Sequence, residues 1–180
     1  LQFLRNKILS NNTCKQVIHI PKLLQSLSAL VTFRLGTHID LDVDNQRLEV
    51  RSRSQRCLNW IQIKGDEQDQ SELVNIGYGR MTSISFSTAG GNGEEQDKDI
   101  RNGLRSISRF LIGLHEGRTY GQPSFQPLPL LARRTEEQME EEGASEELEA
   151  QMNNNGDDGH IKFYANRVKA MILKRFIRRG

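Results

Sequence analysis

The sequence predicts an α+β fold: an antiparallel sheet of about five strands flanked by three to four helices, with an acidic disordered insertion before a basic C-terminal helix. Three observations carry that expectation. Apolar residues recur at helical spacing near both ends of the chain and again after Asp99. Between His38 and Thr88 the apparent period shortens to two, as in half-buried strands joined by short turns. Finally, Thr135–Gly159 holds ten of the chain's 23 acidic residues and no basic one, whereas His160–Gly180 holds seven basic residues and no acidic one.

The elements follow in order. LQFLRNKIL places Leu1, Leu4 and Ile8 on one helical face and stops at Ser10-Asn11-Asn12. A second helix opens near Pro21, which suits a first turn, and carries Leu23, Leu24, Leu27, Leu30 and Val31 towards Gly36. Ile39, Leu41 and Val43 then alternate with Asp40, Asp42 and Asp44. A turn at Asp44-Asn45 leads into Leu48 and Val50, alternating with Glu49 and Arg51, so a β-hairpin is expected. Arg56–Lys64 reads as a third strand with Leu58 and Trp60 on one face. Gly65–Ser71 reads as a polar loop, and Leu73–Gly77 and Thr82–Thr88 as two further strands around Gly77-Tyr78-Gly79.

Gly90–Asp99 leads into a third helix, where Ile100, Leu104, Ile107, Leu111 and Leu114 form a continuous stripe ended by Gly117. Three of the four prolines fall in Gly121–Pro129, which must be extended. The last helix starts at about Ile161, with Tyr164, Val168, Met171, Ile172 and Phe176 on one side and cations on the rest. Runs of strands set between helices argue for α+β rather than a parallel α/β fold. Residues 1–134 are expected to form the α+β domain, 135–160 an acidic flexible segment, and 161–180 a basic amphipathic helix packed on that domain.

The net charge of +2 conceals a division, because outside the acidic run the chain has 25 basic against 13 acidic residues. A body that basic usually meets an acidic partner, nucleic acid, or its own acidic segment. Cys14 and Cys57 have no short spacing, which suggests idle thiols in a reducing compartment. An intracellular location, nucleus or cytoplasm, is therefore expected. No stretch approaches the roughly 18 apolar residues of a spanning helix, so no membrane insertion is expected. The chain lacks an initiating Met and a signal-peptide pattern, and is read as a piece of a longer protein.

Motifs for chemistry are weak. Asp40-x-Asp42-x-Asp44 opens like a calcium loop, but Asn45 replaces the required Gly and Arg51 the bidentate Glu. Gly90-Gly91-Asn92-Gly93 resembles a phosphate loop, yet Glu94, Glu95, Asp97 and Asp99 follow and would repel the anion. The four histidines are scattered, and no nucleophile elbow or metal spacing appears. No catalytic residue, cofactor or metal is expected, nor a small-molecule substrate, and the chain is not read as an enzyme.

What remains is an interaction surface. The sequence is read as a non-enzymatic protein-interaction domain, a subunit or scaffold piece of an intracellular macromolecular complex. Its partner-binding residues are Lys169, Lys174, Arg175, Arg178 and Arg179, and the partner is another protein with an acidic or apolar groove. The alternative is a nucleic-acid-binding domain, nuclear or viral, in which Arg51, Arg53, Arg56, Arg101, Arg105 and Arg109 join the helix. The acidic run would fold back and screen the basic helix in either case.

Overall fold

The computed structural model describes residues 1–9, 14–33, 41–87, 94–119, 123–155 and 159–177, without the side chains of 14–15, 41–45, 87, 94–96 and 174–177. Among these residues there are ten helices and no strand. The expected α+β class and its five-stranded sheet are therefore wrong: the protein is nearly all helical. The chain divides into two compact units, one of Leu1–Tyr78 with Thr119–Phe125, the other of Gly79–Arg118 with Gln126–Gly180.

The first unit holds α1 (Gln2–Leu9), α2 (Cys14–Ile18), α3 (Leu23–Thr32), α4 (Leu41–Lys64) and α5 (Glu67–Asn75). Its axis is α4, against which the other four pack. From Leu41 onward the expected hairpin, and the whole third strand, fall within this one 24-residue helix, and Ile39 lies outside the described residues. Ser54, Cys57, Leu58 and Ile61 are buried at offsets of 0, 3, 4 and 7, a helical stripe facing Ile8 of α1 and Leu24, Leu27 and Val31 of α3. Leu48 and Val50, whose alternation suggested a strand, are 50% and 38% exposed and belong to no buried face. Ser54 hides its hydroxyl by donating to the Val50 carbonyl at 2.8 Å. Asp40 of the calcium-like pattern lies outside the described residues.

The corner between α4 and α5 is tightly specified. A Cβ on Gly65 would stand 2.5 Å from Asp69 Cβ and 2.7 Å from the Ile61 carbonyl oxygen, so glycine alone fits. Asp66 caps α5: its Oδ1 accepts from the Asp69 amide at 3.3 Å, while Asp69 Oδ2 accepts from the Asp66 amide at 2.8 Å. Gln70 Nε2 donates to the carbonyls of Gln62 and Gly65, both at 3.1 Å, sealing the turn from inside. The segment expected to be a polar loop is thus a helix start.

The second unit contains α7 (Glu94–Glu116), α8 (Pro129–Glu141), α9 (Ala144–Gln151) and α10 (His160–Ile177), together with α6 (Tyr78–Ser87) from Gly79 onward. Here α7 is the spine, with Ile100, Leu104, Ile107, Leu111 and Leu114 buried against α8 and α10, and it ends at Gly117 with φ 76°. The strand expected over Thr82–Thr88 falls on α6 as far as Ser87, with Thr88 outside the described residues, and the buried Met81, Thr82, Ser83 and Phe86 recur at helical spacing. Ser83 spends its hydroxyl on the Gly79 carbonyl at 3.0 Å.

The acidic run is helical over residues 135–141 and 144–151, which corrects the disordered insertion expected there, while residues 156–158 lie outside the described residues. It has few apolar residues, but they are well placed. Ala132, Thr135, Glu136 and Met139 line the buried face of α8, and Ala144 and Leu148 that of α9. Gly143, at φ 70°, makes the bend between the two helices, a backbone state that L side chains adopt at a cost. The Leu128 amide donates to the Leu114 carbonyl at 2.7 Å and pins the start of α8 to the end of α7.

Candidate functional site: the basic C-terminal helix

Between His160 and Gly180 the chain has no carboxylate, so α10 presents only cations and neutral groups. Ile161, Ala165, Val168 and Ile172 are buried at offsets of 0, 4, 7 and 11 and seat the helix on α7 and α9. Of the apolar side read from the sequence, Val168 and Ile172 are buried and Tyr164 and Met171 half-buried. The Phe176 side chain lies outside the described residues. At 100° per residue the opposite half of the helix carries Lys162, Phe163, Asn166, Arg167, Ala170 and Leu173, all exposed. Phe163 is 55% and Leu173 47% exposed.

Of the five residues expected to bind a partner, Lys169 is fully described, and it is not an outward cation. Its Nζ donates to Glu149 Oε1 at 2.8 Å, and its side chain is only 17% exposed. Lys174 and Arg175 lie on α10 with side chains outside the described residues, and Arg178 and Arg179 fall beyond them. The Lys169 ammonium, by hydrogen bond first and by charge second, holds the Glu149 carboxyl below its ordinary value.

Other carboxylates of the acidic run are also matched inside this unit. Arg80 forks onto Glu141 and Glu142 at 2.6 and 2.7 Å, tying α6 to the end of α8. His115 Nε2 and Glu136 Oε1 share a hydrogen bond of 2.7 Å, linking α7 to a carboxyl group that is 1% exposed. A buried carboxylate costs heavily unless so paired. The acidic run is thus a counter-ion layer for its own unit, and its match with basic residues is built into the packing.

Two cations outside α10 belong with it. Arg105 and Arg109, one turn apart on α7, are exposed and have no carboxylate partner among the described residues. Partial burial, and then the charge of Arg105, push the Arg109 guanidinium below its ordinary value, while Tyr164 of α10 favours its charged form. Tyr164 and Lys169 are five residues apart and so lie on opposite flanks of the buried stripe. One flank of α10 therefore borders arginines that meet no carboxylate among the described residues, and the other borders the acidic α9. Arg51, Arg53 and Arg56 fall in the first unit.

The sequence reading missed the outward Phe163 and Leu173. Their signal was the spacing of Ile161, Ala165, Val168 and Ile172, which defines a seat on α10 that excludes both. Among the described residues no group of three His, Cys, Asp or Glu side chains could hold a metal ion, and no helix is long and apolar enough to cross a membrane. No family model, curated protein or solved structure matches the chain, so what this surface does is argued from its own geometry.

Proposed function

We propose that the protein is a non-enzymatic interaction domain whose outward face of α10 docks into an apolar groove with an acidic rim on another protein, as one piece of an intracellular complex. The observation that carries this reading is the exposure of Phe163 and Leu173 on a helix with no acidic residue. Large apolar side chains on the outer half of an amphipathic helix supply the anchors of helix-in-groove recognition. The cations around them, Lys162 and Arg167 with Arg105 and Arg109 beside, set the sign of the rim they fit. A second copy of this helix is a poor occupant, since both faces would bring like charge together. Glu149 on Lys169 supplies an internal example of the carboxylate contact expected from the partner.

Nucleic acid is the competing reading, favoured by Arg105 and Arg109, which meet no carboxylate among the described residues. A photo-crosslinking side chain at position 163, used in extract of cells that make the protein, separates the two. The expected result is one discrete, nuclease-resistant protein adduct that disappears in Leu173→Asp and Arg167→Glu chains that melt like the parent. A nuclease-sensitive adduct whose yield falls steeply with salt would establish the nucleic-acid reading instead. No adduct, or one indifferent to both substitutions, would reject α10 as the working face.

A further inference from the structure

In the first unit, Leu1, α1 and α4 border a half-open hollow of about 340 Å³ lined by Gln2, Arg5, Glu49, Ser52, Arg53 and Arg56 beside Leu1. Glu49, Ser52, Arg53 and Arg56 sit at offsets of 0, 3, 4 and 7, so a single face of α4 delivers all four. Arg5 arrives from α1, the helix whose first turn is held where Cys57 Sγ points at the Leu1 carbonyl, 3.9 Å away. The hollow is therefore lined by three arginines and one glutamate, two positive side-chain charges in excess.

Little within the unit answers that excess. Glu49 is engaged by Arg53 in an exposed pair one helical turn apart, for which water competes. Arg56 has no carboxylate partner among the described residues. Among the described residues the Arg5 side chain reaches only the neighbouring Asn6 Oδ1, at a long 3.4 Å, and its enclosed Nε meets no acceptor. An enclosed guanidinium donor without an acceptor is costly, and such a group in a folded protein calls for an explanation.

We propose that this cavity binds a small phosphomonoester, its phosphoryl oxygens held by Arg5, Arg53 and Arg56. A phosphomonoester carries close to two negative charges near neutral pH and three strong acceptor oxygens, matching both the charge excess and the number of guanidiniums. Planar guanidinium forks grip such oxygens in pairs, which a point-charge ammonium cannot do. The volume lies at the lower end of the roughly 300–1,000 Å³ span of ligand cavities, leaving room for a phosphoryl group and a short organic arm. Binding would satisfy Arg5 Nε and relieve the repulsion among the three cations. This site is independent of the α10 surface and stands or falls separately.

The test uses the full chain labelled with ¹⁵N and follows the arginine Nε–H signals while O-phosphoserine, glycerol 3-phosphate, inorganic phosphate or malonate is added at constant ionic strength. The expected result is a saturable shift of the Arg5 signal with both phosphomonoesters, with the melting temperature rising in step with occupancy. Arg5→Gln and Arg56→Gln should each weaken binding at least about tenfold, since a charge-assisted fork is lost. Arg105→Gln, in the other unit, should leave it unchanged. Arg56→Lys, which keeps charge but loses the fork, should weaken binding too and serves if a glutamine variant unfolds. A response to inorganic phosphate alone would mean an adventitious ion only and would overturn the proposal. So would malonate shifts as large as those of the phosphomonoesters, no saturable shift up to about 10 mM, where even weak specific sites fill, or parental affinity in the arginine variants.

Discussion

Lys169 and Glu149 face each other between α10 and α9 with Nζ and Oε1 2.8 Å apart, joining the most basic stretch of the chain to the most acidic one. The pair occupies the flank of α10 opposite Tyr164, so an acidic partner approaching from that side must displace Glu149. Glu149→Gln should therefore tighten binding of a carboxylate-rimmed partner, most visibly at low salt. The pH dependence has a definite sign. A carboxyl held below its ordinary value contributes stability above the ordinary glutamate range and loses it as pH falls through the depressed value. That small acid-side loss should be absent from the unfolding curves of Glu149→Gln.

Leu111 is fully buried on the inward stripe of α7. Leu111→Ala should cost about 2–5 kcal/mol, the usual range for removing a core leucine. Chemical denaturation would measure it, and a loss below about 0.5 kcal/mol, typical of surface positions, would mean that this stripe is not core.

Gly79 of α6 lies close against Thr135 of α8. A Cβ there would lie 2.8 Å from the Thr135 carbonyl oxygen and 2.9 Å from Thr135 Cγ2. Helix propensity favours Gly79→Ala by about 1 kcal/mol. The clash is with backbone, however, and overpacking of this kind costs about 1–3 kcal/mol. The net expectation is destabilisation, and a raised melting temperature would show that the two helices separate easily.

Asp69 titrates in the opposite sense to Glu149. Burial pushes its carboxyl above the ordinary value of 3.8, against the hydrogen bond from the Asp66 amide, which draws it down. The folded state therefore binds a proton that the unfolded chain has released, so stability falls as pH rises from the ordinary value through the raised one. Asp69→Asn keeps an acceptor for the cap and should abolish that falling segment. Identical pH profiles for the two proteins would refute the assignment.

The sequence was most legible where one periodicity stood alone. The stripe from Ile100 to Leu114 with Gly117 behind it could be read as α7 directly, and the buried Leu24, Leu27 and Val31 were equally plain. Failure came where β-branched and aromatic residues clustered. Val50, Trp60, Ile61 and Ile63 suggested strands, yet the helical spacing of Cys57, Leu58 and Ile61 decided the outcome, since tertiary packing overrides β-propensity. In Asp66–Asp69 a capping box was mistaken for a loop because both residues are acidic and polar. At the candidate site the basic character of α10 was legible. Its orientation was not, because two apolar stripes share one helix and only contact with α7 and α9 chooses between them.

The placement of Met139, Ala144 and Leu148 has a consequence for the chain during synthesis or after proteolysis. α9 spans eight residues, shorter than the roughly 12–15 at which even favourable sequences hold a helix alone in water. Its order is borrowed from α10, which follows it in the chain. A product ending before His160 would keep α8 on α7 but carry α9 as coil, with Glu146, Glu147 and Glu149 repelling one another. Such a product would migrate as a larger, more anionic species than its mass implies, and would regain helix only when a peptide of α10 was supplied. With α10 in place, Ala144 and Leu148 gain the apolar contact that eight residues of helix cannot supply alone.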